Sequence, residues 1–98
     1  MPAYDPPAPV AIATEETKVK LSFGGRYTVS LYPRHRDFEL GEWLELRGPD
    51  GRVVLRETKI RVYSAGYGAP VHDLSPGEYL IVPSDNFVGA FAYSFIRK

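Results

Sequence analysis

Residues 17–33 read TKVKLSFGGRYTVSLYP, and apolar side chains occupy every second position through most of this stretch. The period holds over 19–23, breaks at Gly24-Gly25 and resumes over 27–31. Such alternation is typical of strands that have one face on a core and the other in water. Pro33 ends the second run because proline cannot donate a hydrogen bond to a neighbouring strand. The stretch therefore predicts two consecutive strands separated by the glycine pair.

A strong turn signal follows at residues 48–51, which read Gly-Pro-Asp-Gly. Proline presets the first turn angle and glycine accepts a positive backbone angle, so this tetrapeptide is typical of a tight turn. It predicts a hairpin from Glu42 to Leu55. In that hairpin we expect Trp43 to lie across from Arg56, where stacking on the guanidinium competes with contact to an external ligand.

Further strands are predicted downstream, at 78–83 after a Ser-Pro-Gly turn and at 91–96. Residues 52–63 change the parity of their apolar positions near Glu57-Thr58, which predicts a bulge or a tight turn there. Breaks come roughly every ten residues, and no helical period is present. The sequence therefore predicts an all-β fold, either an antiparallel β-sandwich of about eight strands or a small barrel.

The composition narrows the classes of protein. A chain of 98 residues has room for one domain. Twelve basic and twelve acidic residues give a formal charge of +0, which removes the general electrostatic argument for a nucleic-acid partner, and none is expected. The absence of cysteine excludes disulfides, thiolate nucleophiles and zinc sites that need sulfur.

Residues 1–14 are set apart by proline, since four of the nine prolines lie in the first nine residues. Proline at this density favours an extended, solvated segment. We therefore expect residues 1–14 to be a disordered tail or linker and residues 15–98 to form a single domain. Because the segment lacks the basic start of a signal peptide and no stretch is long enough for a spanning helix, a cytoplasmic location is favoured.

No catalytic motif is complete. The sequence around Ser64 lacks the first glycine and the following helix of a nucleophile elbow, and residues 66–71 lack the third glycine of a dinucleotide loop. His35 and His72 each have an aspartate nearby but no third catalytic member. We expect no enzymatic activity and no cofactor other than a possible calcium ion.

Two groups of side chains are candidate binding residues. The acidic group could converge from two loops to supply oxygen ligands for calcium, with ordinary solvated ion pairs as the competing interpretation. Its members are Asp37, Glu39, Glu42 and Asp85. The basic and aromatic group could bind phosphate head groups or an acidic peptide. Its members are Arg34, Arg36, Trp43, Arg56 and Arg61.

One run of residues resembles a known family. Residues 74–84, LSPGEYLIVPS, followed by Phe87, Gly89 and Phe91, are similar to the closing hairpin of the calpain-type β-sandwich, the C2-like third domain of calpains. Residues 29–36 and 43–46 resemble, more loosely, an earlier strand of that domain with its basic loop and the strand that follows. A bacterial pre-peptidase-like sandwich shares the start of the hairpin and is the alternative.

The calpain resemblance implies an eight-stranded antiparallel sandwich of C2-like type that performs no chemistry itself. In calpains this domain is associated with calcium-dependent regulation, phospholipid contact and docking of partners. For this chain we therefore expect a non-catalytic regulatory module that binds another protein, with weak calcium or phospholipid binding as an addition. The alternative is a structural subunit that forms homo-oligomers by exchange of an edge strand or the proline-rich arm.

Overall fold

The computed structural model describes residues 10–59 and 70–98. Within those ranges the chain forms eight strands and no helix. Consequently no helix capable of crossing a membrane occurs among the described residues. In chain order the strands are β1 (Ala11–Ala13), β2 (Thr17–Leu21), β3 (Gly25–Pro33), β4 (Leu44–Arg47), β5 (Val53–Glu57), β6 (His72–Leu74), β7 (Gly77–Pro83) and β8 (Phe91–Arg97).

The strands form two antiparallel four-stranded sheets. One sheet has the order β1-β8-β3-β6 and the other the order β2-β7-β4-β5. Side chains of both sheets meet in one core, where Leu44, Leu46, Ile81 and Phe91 are fully buried. The prediction of an all-β antiparallel sandwich is confirmed, and the barrel alternative is wrong because the described strands form two separate sheets.

The predicted hairpin is confirmed at β4 and β5. The amide of Gly51 donates to the Gly48 carbonyl at 2.9 Å, and the amide of Arg52 donates to Asp50 Oδ1 at 3.0 Å, which closes the turn. The register then shifts between Leu46 and Arg47, so that β5 carries an extra residue. This bulge lies at the opposite end of β5 from the predicted parity change at Glu57-Thr58, where the strand simply ends.

The predicted boundary of the tail at residue 14 is wrong. Ala11–Ala13 form β1 and pair with Phe91–Tyr93 of β8. Thr14 to Glu16 then carry the chain from this sheet to β2 in the other sheet. Residues 1–9, which hold the prolines of the predicted tail, lie outside the described residues.

Two long loops cross between the sheets at the same end of the sandwich. Pro33 at the end of β3 pairs with Phe91 at the start of β8, and Leu44 at the start of β4 pairs with Pro83 at the end of β7. The loop 34–43 and the loop 84–90 must therefore be neighbours. We call this end of the molecule the loop end.

Candidate functional site

A buried carboxylate ties the two loops of the loop end together. Glu42 is 3% exposed. Its Oε1 accepts hydrogen bonds from Arg36 Nη1 at 2.6 Å and from the Glu39 amide at 2.7 Å. Its Oε2 accepts from Arg36 Nη2 at 2.9 Å and from the Val88 amide at 3.4 Å. Each oxygen therefore receives two donors, and we call this arrangement of Arg36 and Glu42 with the two amides the loop clasp.

Arg36 extends the clasp to both loops. Its Nη2 donates to the Val88 carbonyl at 2.7 Å and its Nη1 donates to the Asp37 carbonyl at 3.0 Å. The guanidinium also lies over the Phe87 ring, 4.8 Å from the centroid. A bidentate guanidinium–carboxylate pair fixes both position and orientation. The loops are therefore held in one relative arrangement.

Backbone and side-chain contacts at Ser84 complete the junction. The Ser84 amide donates to the Trp43 carbonyl at 2.9 Å, and the Trp43 amide donates to Ser84 Oγ at 3.0 Å. Below them the Phe87 ring packs edge-on against Phe38 and Phe91, with centroids 6.4 Å and 5.9 Å apart. The loop end is anchored to the core through these rings.

A second buried carboxylate lies on the outer face of the β2-β7-β4-β5 sheet. Glu45 is 1% exposed and alternates with core residues of β4, so it points away from the core. Its Oε1 accepts from Arg47 Nε at 3.2 Å and Nη2 at 3.0 Å, and its Oε2 accepts from Arg56. Arg56 also stacks on the Trp43 ring, 4.6 Å from the centroid. The residue directly opposite Arg56 is Glu45 and not Trp43, so the predicted register is wrong and the stacking is diagonal.

The two carboxylates are held ionised by their partners. Hydrogen bonds from Arg36 are the main reason that the pKa of Glu42 lies below its ordinary value. For Glu45, burial opposes ionisation, but the hydrogen bonds from Arg56 and Arg47 outweigh it, and the pKa is again lowered. Both groups are therefore charged in the folded protein at neutral pH.

The lowered pKa values predict acid sensitivity. A group whose pKa is depressed by folding contributes stability that is fully present above its unfolded pKa, about 4.3 for glutamate, and is lost as pH falls through the folded pKa. We expect the urea concentration at the unfolding midpoint of the wild type to decrease as the pH is lowered below about 4.3. The double variant Glu42→Gln/Glu45→Gln should have a lower urea midpoint at pH 7, and its midpoint should change less as the pH is lowered. Parallel curves for the two proteins would show that these residues do not cause the acid sensitivity.

The predicted calcium residues lie in neighbouring loops but do not form a ligand set. Glu42 is turned inward and both of its oxygens are occupied by the loop clasp, and Asp37 Oδ1 accepts from the Phe38 amide at 2.7 Å. Glu39 and Asp85 are exposed. Among the described residues there is no group of three or more histidine, aspartate or glutamate side chains that could hold a metal ion.

Two of the predicted anion-binding arginines already contact buried carboxylates. Arg36 pairs with Glu42 in the loop clasp. Arg56 pairs with Glu45, which it shares with Arg47, so this second group keeps one positive charge. Both arginines thus have carboxylate partners within the domain, and their binding of an external anion stays a prediction. Arg34 is exposed beside the clasp, and Arg61 lies outside the described residues.

Two apolar side chains that the sequence reasoning missed project from the loop end. Leu40 is fully exposed and Val88 is 75% exposed. Each precedes a glycine with a positive φ, Gly41 at 83° and Gly89 at 88°, which turns the chain back beneath the side chain. An apolar residue before a loop glycine is the signal that could have found them. An open depression of about 440 Å³, lined by Phe38 and Trp43 among others, lies beside Leu40.

The two histidines do not share a site. His72 on β6 pairs with Tyr27 near the start of β3, whereas His35 follows the far end of the same strand. Six residues of strand separate these positions, which corresponds to about 20 Å at the usual rise. No chemistry that needs both imidazoles is available in this arrangement.

Comparisons with known proteins add no relative. No family model, no curated protein and no solved structure matches the chain.

Proposed function

We propose that this chain is a non-catalytic β-sandwich that binds another protein through its loop end. The observation that carries the proposal is the pair of exposed apolar side chains, Leu40 and Val88, on loops that the loop clasp holds together. Exposed apolar side chains that are clustered and bordered by polar groups are typical of interaction surfaces.

Rigid loops favour such binding. A loop that must be ordered on association subtracts the cost of ordering from the affinity. Glu42 accepts hydrogen bonds from the backbone of both loops, at Glu39 and at Val88. The loops that carry Leu40 and Val88 are therefore ordered before a partner binds. The depression beside Leu40 offers a place for an apolar side chain of the partner.

The charges of the loop end favour a basic partner. The two loops carry four carboxylates but only two guanidiniums. Arg36 is neutralised by Glu42, which leaves Arg34 as the exposed arginine among the acids. This balance repels an anionic membrane and complements a partner whose apolar surface is bordered by lysine or arginine.

The resemblance to the calpain-type sandwich is in line with a docking role. It rests on residues 74–84 and on the order of the upstream strands. In this chain the calcium and phospholipid contributions that the resemblance implies have less support than protein binding, because Glu42 is occupied and the loop end is acidic.

Selection from a displayed library of short peptides tests the proposal. We expect wild-type protein to enrich peptides that carry an apolar residue next to lysine or arginine. These peptides should lose at least about tenfold in affinity for the variant Leu40→Asp/Val88→Asp, since a 1.4 kcal/mol change is tenfold. Val53→Asp is the matched control, because Val53 is an exposed valine at the other end of the sandwich.

Three results would overturn the proposal. The first is a selected peptide that binds the double variant as tightly as the wild type. The second is Leu40-dependent binding to phosphatidylserine vesicles without any peptide binding, which would indicate a membrane surface. The third is peptide binding that appears only with added calcium.

A further inference from the structure

One stretch of β8 lacks a neighbour on one side. β8 pairs with β3 over its whole length, from Phe91 to Arg97, but β1 covers only Phe91–Tyr93 on the other side. Among the described residues nothing pairs with Phe95–Arg97 there. We call this stretch the open edge.

The hydrogen-bonding direction of the open edge follows from the ladder with β3. The Arg34 amide donates to the Ala90 carbonyl at 3.0 Å, and the Lys98 amide donates to the Arg26 carbonyl at 2.7 Å. Even-numbered residues of β8 therefore direct their backbone groups to β3. Because the direction alternates along a strand, the amides and carbonyls of Phe95 and Arg97 point to the open side.

The chain's own N-terminal sequence is unsuited to this edge. Continuing the register of β1, in which Ala11 lies opposite Tyr93, would put Pro9 opposite Phe95 and Pro7 opposite Arg97. These are the positions that must donate, and proline has no amide hydrogen. A different strand is needed to pair with the open edge.

Most of the other sheet edges in the described part of the chain are short or charged. β1 and β6 have three residues each, β2 carries Lys18 and Lys20, and β5 carries Arg56 and Glu57. Among the described residues β3 also lacks a neighbour on its β6 side beyond Tyr27. Short edge strands and lysine side chains are common defences against edge-to-edge pairing. The open edge reads Phe-Ile-Arg and has Ile96 on the outer face, 37% exposed.

We propose that a second copy of this chain pairs with the open edge, strand β8 against strand β8, around a two-fold axis at Ile96. In this register Phe95 of each copy lies opposite Arg97 of the other. The outward amides and carbonyls of both residues then form four hydrogen bonds. A register centred on Phe95 would instead require Tyr93, which β1 already occupies.

The side chains are compatible with this pairing. Ile96 meets its own copy on the outer face, where the neighbouring β8 residues are Ser94 and Ala92 and therefore uncharged. Arg97 meets Phe95, so no like charges are opposed in the paired residues. The contact is smaller than the roughly 1,200 Å² of standard interfaces, so we expect a weak, concentration-dependent dimer.

A single cysteine tests the register directly because the natural chain has none. In the proposed dimer residue 96 forms a non-hydrogen-bonded pair with its copy, with Cα atoms about 4.5 Å apart, which is within the range of a disulfide. We expect Ile96→Cys to form a disulfide dimer rapidly on oxidation at millimolar protein. Ile12→Cys is the control, because Ile12 is 44% exposed on the same face but far from the axis.

Sedimentation of the unmodified protein and of Ile96→Lys completes the test. We expect the wild type to show a concentration-dependent dimer, and the lysine variant, which would place like charges face to face, to stay monomeric. Equal rates of cross-linking for the two cysteine variants, or a wild type that is monomeric at millimolar concentration, would overturn the proposal. Neither result would bear on the loop end, since the two surfaces are separate.

Discussion

Replacing Glu42 by glutamine is expected to reduce the free energy of unfolding by about 3 kcal/mol. Each carboxylate oxygen of Glu42 receives two donors, one from Arg36 and one from a backbone amide. Whichever oxygen becomes the NH₂ group, it faces two donors and accepts from neither. The guanidinium also loses the negative charge it pairs with. Urea denaturation at pH 7 measures the loss.

Glu39→Gln is the matched control, because Glu39 lies in the same loop and forms its hydrogen bonds in the clasp through its backbone. Its exposed side chain adds only a minor coulombic contribution to the raised pKa of Arg36. We expect the free energy of unfolding of Glu39→Gln to lie within about 0.5 kcal/mol of the wild-type value. Hydrogen exchange at the Val88 amide adds a local measurement, since this amide should exchange faster in Glu42→Gln than in Glu39→Gln. A stability loss in Glu42→Gln no larger than that of the control would contradict the role of the clasp.

Gly77→Ala is expected to reduce the free energy of unfolding by more than about 2 kcal/mol. Gly77 has a φ of 148°, and a Cβ at this position would lie 2.7 Å from Pro49 Cγ in the β4–β5 turn. An alanine must therefore adopt a disfavoured backbone angle and also displace a proline ring. Thermal or urea denaturation measures the effect.

Gly51→Ala separates these two causes. Gly51 also has a positive φ, 83°, but nothing lies within 4 Å of its Cβ position. In Gly51→Ala the backbone strain alone should reduce the free energy of unfolding by about 1 kcal/mol. In the Gly77→Ala background, Pro49→Ala should recover part of the loss because it removes the nearest atom. Equal losses for the two glycine variants would show that the contact with Pro49 is not responsible.

The period-two alternation predicted the sandwich because each strand has one face on the core. Leu44 and Leu46 are buried as their parity requires. The turn at 48–51 likewise brought Trp43 within stacking distance of Arg56, although the bulge after Leu46 places Glu45 directly opposite this arginine. Local patterns of this kind are visible in the sequence, and they fix the secondary structure.

The ion pairs could not be predicted in this way. Glu45 alternates with core leucines, so the pattern indicates a solvated residue, yet Arg47 and Arg56 cover it. Glu42 looks like one of several loop carboxylates, and which arginine pairs with it depends on how the loops cross between sheets. Composition gives the number of charges but not the partner of each, so the acidic loop was interpreted as a calcium site.

Strand β1 was missed because three residues that follow a proline-rich segment carry almost no pattern of their own. The pairing of Ala11 to Ala13 is provided by β8, a distant part of the sequence. Short edge strands of this kind are defined by their neighbour. Residues 60–69, including Arg61, lie outside the described residues.

The antiparallel pairing of β1 with β8 also determines how the domain responds to mechanical load. The chain enters β1 at Ala11 and leaves β8 at Arg97, both towards the same end of the sheet. Tension applied between these points would peel the three residue pairs apart one after another rather than shear them together. We therefore expect β1 to detach at low force while the remaining strands stay folded.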